Sequence, residues 1–342
     1  MSDLHDLGWS DHFAALDVDL TTKSLGRVCD VHRTSVTAQT QGGEIDLVLP
    51  PKMGVSRLTV GDWVTYSDHA VVDILDRATL LKRQSAGAGA TMQLIAANVD
   101  RLLIVSSCND DFNVARLERY LILAMGNDID PVIVLTKTDL ATDWPDYVER
   151  AKTLSPELQV IAINATDQVS MDQLLPFMPS RRTVALVGSS GVGKSTILNG
   201  LTGAAVATQG IREDDAKGRH TTTARSLRRT KFDSWIIDTP GIRSLGLGHS
   251  AIGIERVFSD LTDLAGLCKF NDCSHNSEPK CAVRAAVDAQ AQDEDRVERW
   301  KKLLVEDAEN SVKITKEQER MEKVTRNPMY KSKRRRQMGR EE

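Results

Sequence analysis

Residues 188–196 read GSSGVGKST, and no other run constrains the chain as tightly. The run fits G-x-x-x-x-G-K-[ST], follows the apolar stretch VALV at 184–187, and precedes Ile197 and Leu198, which can open a helix. A strand, a glycine-rich turn and a helix start make a cradle for phosphate. Gly188, Gly191 and Gly193 let successive backbone N–H groups turn toward one anion, and the helix N-terminus adds favourable partial charge. Ser189, Ser190 and Val192 complete the turn. Lys194 supplies a point charge to the β- and γ-phosphates, and the Ser195 hydroxyl, next to Thr196, is placed to hold Mg²⁺.

A carboxylate suits the same site. Asp238 opens DTPG after the apolar pair Ile236 and Ile237. A carboxylate at a strand end reaches Mg²⁺, usually through water, and the Gly241 N–H can meet the γ-phosphate. The choice of base rests on Thr136, Lys137, Thr138 and Asp139, which follow the strand-like run VIVL at 132–135. Asp139 can accept from guanine N1–H and the exocyclic amine. Adenine offers no such pair and would leave the carboxylate unmatched, at a cost of roughly several kcal/mol. The Lys137 stem can lie over the base. Asn164 and Ala165, after VIAI at 160–163, can present a backbone N–H to guanine O6. Thr136 is shorter than the Asn usual at that place, so we expect one lost contact, to the base or to a neighbouring loop, and weaker nucleotide affinity.

The flanking texture divides the chain in three. Residues 1–20 show no clear period and read as a loose tail. Between 26 and 81, Val28, Val36, Ile45, Leu47, Leu49, Val60, Val64, Val71, Val72 and Ile74 fall in short alternating runs punctuated by Gly42, Gly43, Pro50, Pro51, Gly54 and Gly61, the pattern of a small β-barrel. OB-type and SH3-like barrels look alike at this level. SAGAGA at 85–90 reads as a linker or mobile loop. Strands near 102–106, 131–135, 160–163 and 183–187 alternate with helical periods, which is the βαβ pattern of a parallel sheet. After about 250 the chain turns helical and charged, with Val297, Trp300, Leu303 and Leu304 expected on one helix face. The expected architecture is therefore multidomain: a barrel over 1–84, an α/β phosphate-loop domain over 85–250, and a helical domain over 251–342.

Composition removes several classes. With 44 Lys and Arg against 48 Asp and Glu the net charge is −4, so any polyanion contact must come from local patches. No apolar run approaches the roughly 18 residues of a membrane span. The acidic start MSDLHDLGWSDHF lacks the apolar core of a secretory signal. Five cysteines over 342 residues do not make a disulfide scaffold, so a cytoplasmic location is expected. At 4% aromatic residues, a sheet that stacks RNA bases on rings is disfavoured.

The order of the motifs is informative. The base-reading elements precede the phosphate elements, the reverse of an ordinary G domain, so the chain is circularly permuted. The segment after Gly241 then leads straight into the C-terminal module, which nucleotide state could move as a lever. Barrel, TKTD, GSSGVGKS, GRHTTT, DTPG and a Cys/His cluster, in that order, resemble the ribosome small-subunit-dependent GTPase A family, and the match covers most of the chain. The resemblance implies an OB-type barrel, a permuted G domain and a C-terminal zinc domain. It also implies a role in late assembly of the 30S subunit, with GTP hydrolysis to GDP and phosphate stimulated by that subunit.

Residues 217–223, KGRHTTT, occupy the place of switch I, where a Thr closes on Mg²⁺; three threonines compete, and the resemblance favours Thr222. Lys217, Arg219, Arg225, Arg228, Arg229 and Lys231 surround it with no acidic residue between 217 and 231, a surface suited to 16S rRNA phosphate. Gly241 is followed by Ile242, which cannot orient water by hydrogen bonding, so slow unaided turnover is expected. His220 is the nearest replacement and is the candidate catalytic group together with Lys194 and Thr222.

Cys268, Cys273, His275 and Cys281 form C-x4-C-x-H-x5-C, three thiolates and an imidazole for one tetrahedral structural Zn²⁺. Cys29 and Cys108 read as core thiols. Eight Lys or Arg between 323 and 340 make a basic tail, either an rRNA arm or a solubilising end. The expectation is a monomeric GTPase that binds the 30S subunit and no membrane. An RNA-binding scaffold with little turnover and an ATP-using phosphate-loop enzyme are the rivals, and Asp139 argues against the second.

Overall fold

The computed structural model describes residues 3–51, 53–84, 92–203, 225–239 and 246–326. His220, Thr222, Gly241 and Ile242 lie outside them, as does the basic tail beyond Arg326. The described strands are β1 Ser24–Val31, β2 Ser35–Thr40, β3 Gly43–Val48, β4 Trp63–Ser67, β5 Ala70–Ile74, β6 Leu80–Gln84, β7 Met92–Ala97, β8 Arg101–Ser107, β9 Asp130–Thr136, β10 Gln159–Ala162, β11 Thr183–Val187, β12 Ser226–Arg229 and β13 Trp235–Asp238. The described helices are α1 Asp11–Ala14, α2 Val114–Met125, α3 Trp144–Lys152, α4 Gln168–Met171, α5 Lys194–Thr202, α6 Ala251–Val257, α7 Ser259–Gly266, α8 Ala282–Asp288 and α9 Glu294–Arg326.

Strands β1 to β5 close a barrel in the order β1-β2-β3-β5-β4, with β1 returning to β4 and β3 parallel to β5. This closure selects the OB-type barrel over the SH3-like one. A bulge between Val28 and Asp30 bends β1, so that one strand serves both β2 and β4. Val28, Val36, Ala38, Leu47, Leu58, Val64 and Val71 fill the interior. Each large one contributes roughly 1.5–3 kcal/mol by leaving water.

Strands β10, β9, β8, β11 and β13 form a parallel sheet in that order, edged by antiparallel β12. Helices cover both faces, so the central strands are apolar on both sides and their residues alternate between two cores. Leu102, Ile104, Ala185 and Val187 pack with α2, whereas Leu103, Val105, Val184 and Leu186 pack with Ile197, Leu198 and Leu201 of α5. The barrel joins this sheet where Asp30 of β1 pairs Ser226 of β12. Arg27 bolts the junction. It is fully buried, donates to the Leu7 carbonyl at 2.6 Å and to Thr183 Oγ1 at 2.5 Å, and lies between the Trp63 and Trp235 rings. Burial pushes its guanidinium down to about 10.

Two expectations change. The first twenty residues are not a loose tail: Leu7 and Phe13 are buried, and Trp9 and Phe13 pack on Trp63. The elements there are single turns, too short to display a period. Strands β6 and β7 pair antiparallel on either side of the SAGAGA run expected to be a linker, which itself lies outside the described residues. Leu304 is 40% exposed; the buried stripe of α9 runs through Val297, Trp300, Leu303 and Ile314.

The C-terminal helices fasten to α2. Gly253 of α6 sits against the Ile122 carbonyl, where a Cβ would come within 2.2 Å of the oxygen, so this crossing requires glycine. Arg299 of α9 bonds the fully buried Glu118 at 3.0 Å, and Arg119 bonds Glu306. Residues 247–250 then run along α9. The Leu247 N–H donates to Glu306 Oε1, Asn310 donates to the Leu247 carbonyl, and the His249 and Ser250 amides donate to Ser311 and Asp307. Residues 247–250 are thus bound to the C-terminal helix.

Candidate nucleotide and metal sites

In a parallel sheet with helices on both faces, ligands gather beyond the carboxyl ends of the strands. Here β9, β10, β11 and β13 share one direction, so the turns carrying Asp139, Asn164, Lys194 and Asp238 emerge at one edge. Motifs far apart in sequence are thereby collected by topology.

The phosphate loop leaves β11 at Gly188, which has φ +147° and lies against the Val105 carbonyl; a Cβ would meet that oxygen at 2.2 Å. Gly191 and Gly193 also hold positive φ, and Gly193 caps α5. Lys194 is nearly buried, and its ammonium donates to the carbonyls of Gly188 at 2.8 Å and Ser189 at 2.5 Å. Burial pushes this ammonium down, with Asp238 pulling the other way; burial pushes the Asp238 carboxyl up, with Lys194 pulling it back. Asp238 lies level with Leu186 on β11. The Thr239 hydroxyl, which donates to the Leu186 carbonyl, ties the two strand ends together. Ser195, half-buried in the first turn of α5, and Asp238 give an all-oxygen donor pair of the kind Mg²⁺ takes.

Thr136 is fully buried and its hydroxyl donates to the Val192 carbonyl at 2.6 Å, which ties the turn after β9 to the neighbouring phosphate loop. Lys137 follows with φ +62°, and Asp139 is exposed at the turn. At Asn164 the carboxamide oxygen accepts from the Thr166 amide and hydroxyl, while the Asn164 N–H donates to Ser170. That leaves the Ala165 N–H without an acceptor among the described residues, so of the pair Ala165 is the donor available to a ligand.

Sequence reading missed Arg116. It stands in the first turn of α2, pairs with Asp111 at 3.0 Å, and donates to Ser189 Oγ in the phosphate loop. No sequence signal marks it; the strand order does, because β8 neighbours β11 and the turn after β8 borders the phosphate loop.

Cys268, Cys273, His275 and Cys281 come together with their ligand atoms within 4.8 Å of one another. His275 Nδ1 lies 3.6 Å from Cys268 Sγ and 3.5 Å from Cys281 Sγ, and the two sulfurs are 3.8 Å apart. A tetrahedron with metal–sulfur bonds of about 2.3 Å and a metal–nitrogen bond of about 2.05 Å has edges of about 3.8 and 3.6 Å, so the set fits one ion. The Ala282 and Arg284 amides donate to Cys268 and Cys281 sulfur at the start of α8, a place that favours thiolate. Burial pushes the His275 imidazole down, toward its neutral, ligating form. The His275 ring packs on Trp300 of α9. Cys29 and Cys108 are buried, and burial pushes both thiols up to about 11.

Comparison with known proteins places this geometry among relatives. The family model described as RsgA GTPase matches residues 74–248, and one described as 50S ribosome-binding GTPase matches 183–331. A protein of Mesorhizobium japonicum named small ribosomal subunit biogenesis GTPase RsgA is 46% identical over 318 residues, covering 90% of this chain and 91% of its own. One of Vibrio parahaemolyticus named small ribosomal subunit biogenesis GTPase RsgA 2 is 40% identical over 342 residues, covering 98% and 95%. The crystal structure of YjeQ from Thermotoga maritima matches with a TM-score of 0.60 at 25% identity, over 83% of this chain and 98% of that one. The structure of YloQ, described as a circularly permuted GTPase, matches with a TM-score of 0.56 at 23% identity, over 88% and 98%, and so speaks to the fold alone.

Proposed function

The chain belongs to the RsgA GTPase family, and from that premise we propose that it acts in late maturation of the 30S ribosomal subunit, hydrolysing GTP to GDP and phosphate under stimulation by that subunit. One observation carries the reading: the Thr136 hydroxyl joins the guanine-reading turn to the phosphate loop at Val192, so two motifs from distant parts of the sequence make one cleft. In this reading Lys194 and the amides of 188–196 hold the polyphosphate, and Asp139, Lys137 and the Ala165 N–H hold guanine. In this reading Ser195, Asp238 and Thr222 would hold the Mg²⁺ that accompanies GTP, which would supply charge neutralisation at the phosphates. His220 orients the attacking water once switch I closes, and Gly241 meets the γ-phosphate. The metal of the cysteine cluster is a single structural Zn²⁺, since four protein ligands leave no open position. The working units are the three expected from the sequence, 1–84, 85–250 and 251–342, with the first division moved before Leu80 in this reading so that the β6–β7 hairpin stays in one unit. The partner is 16S rRNA within the 30S particle, approached by a cytoplasmic monomer; among the described residues no helix is long and apolar enough to cross a membrane.

The test is phosphate release measured alone and with isolated 30S, 50S and 70S particles. A strong response to 30S alone is expected. A flat response would leave the scaffold reading, and preference for ADP over GDP in competition binding would remove the guanine assignment.

A further inference from the structure

Two side chains from outside the phosphate loop reach into it. Thr136 holds the limb that leads into α5, through the Val192 carbonyl. The opposite limb, which leaves β11, is reached by Arg116, whose guanidinium donates to Ser189 Oγ. Between them Gly191 faces open space where a Cβ would stand.

Arg116 is itself held in place. Asn113 caps α2 by accepting the Arg116 N–H at 2.9 Å. Asp111 accepts from the Arg116 guanidinium through its carboxylate at 3.0 Å and its carbonyl at 3.4 Å. Asn109 in turn fixes Asp111, accepting its N–H at 3.0 Å while bonding Ser107 at 2.8 Å. A rigid turn, a helix cap and an ion pair therefore aim one guanidinium at one loop hydroxyl. We propose that Arg116 is a positioning residue for the GTPase site: acting through Ser189, it keeps the outer limb of the phosphate loop in the shape that receives the polyphosphate. The inference rests on the GTP-binding reading of this loop and deepens it.

A loop shaped before the ligand arrives favours GDP and GTP alike, so its loss weakens ground state and transition state together. The test is a cycle of Arg116→Ala, Ser189→Ala and the double variant in the full chain, with fluorescent-GDP binding and steady-state GTP turnover as readouts. Each single variant should raise the GDP Kd and the GTP KM about five- to ten-fold with kcat nearly unchanged. The double variant should be no worse than Arg116→Ala. Wild-type affinity in both singles, multiplying effects in the double, or a fall in kcat at constant KM would each overturn the assignment. Ser189→Ala removes only the acceptor, so the cycle is readable even where Arg116→Ala lowers the melting temperature. GDP binding reads the inference separately from turnover, so a chain that binds GDP but releases no phosphate would defeat the hydrolase reading alone.

Discussion

The barrel and the C-terminal helices both flank the parallel sheet, yet only the helices add a charge-and-thiol clasp to their apolar packing. The barrel closes on its own apolar interior, Val28, Val36, Leu47, Val64 and Val71, with β1 pairing on two sides. The C-terminal helices share an apolar core with α2 through Ile254, Val257, Leu261, Val297 and Trp300, and are fastened to it further by Glu118–Arg299, Arg119–Glu306 and a glycine crossing, while the connection between α7 and α8 is gathered at Cys268, Cys273, His275 and Cys281. The difference teaches where each part is vulnerable. Hydrophobic closure fails by cavity, and a charge-and-metal clasp fails by chelation, acid or loss of one ionic partner.

The largest expected effect separates the two outright. With the proposed Zn²⁺ in the cysteine cluster, stripping it with a chelator should remove a binding energy on the order of 10 kcal/mol from the C-terminal part. Hydrogen exchange should show amides of α7 and α8 deprotecting while β1 to β5 stay protected; uniform deprotection would show that the parts are one cooperative unit. Next is Leu47→Ala, which leaves a cavity inside the barrel and should cost about 3 kcal/mol, read from the urea midpoint with metal content unchanged. Arg299→Ala strands the buried Glu118, whose carboxyl burial already pushes up, and should cost about 2–3 kcal/mol. Restoring stability with Glu118→Gln in the same chain would identify the stranded charge as the cause.

The smallest effect is Glu306→Gln, about 1 kcal/mol at neutral pH, because the pair with Arg119 is partly solvated. Arg119 holds the Glu306 carboxyl below its ordinary 4.5. A depressed folded value means the contribution is complete above 4.5 and disappears as pH falls through the folded value. The difference in melting temperature between wild type and Glu306→Gln should therefore narrow below pH 4.5, and a gap that widens in acid would contradict the pairing.

What could be read in the sequence was what repeats or obeys local chemistry. Gly188, Gly191, Gly193 and Lys194 announce a phosphate loop because the conformation needs those residues at those spacings. Cys268, Cys273, His275 and Cys281 announce a metal for the same reason, and the structure gathers them. Leu7 and Phe13 were missed because one turn has no period, although Trp9 and Phe13 at four-residue spacing, in a chain poor in rings, were a signal. Arg116 and the Thr136 tie were illegible for a different reason. Each meets a residue brought near only when β8, β9 and β11 line up, and no spacing along the chain encodes that.

The hydroxyl of Thr136 has one further consequence. Because it ties the turn after β9 to the phosphate loop across 56 positions of chain, it would help to set, in the proposed site, the span from purine pocket to anion pocket like a ruler before anything enters. Guanosine and pyrophosphate offered as separate pieces each meet only half of that ruler, and each loses its own translational freedom on binding. Joined in one molecule they lose it once, so the intact nucleotide should bind far more tightly than the two fragments suggest.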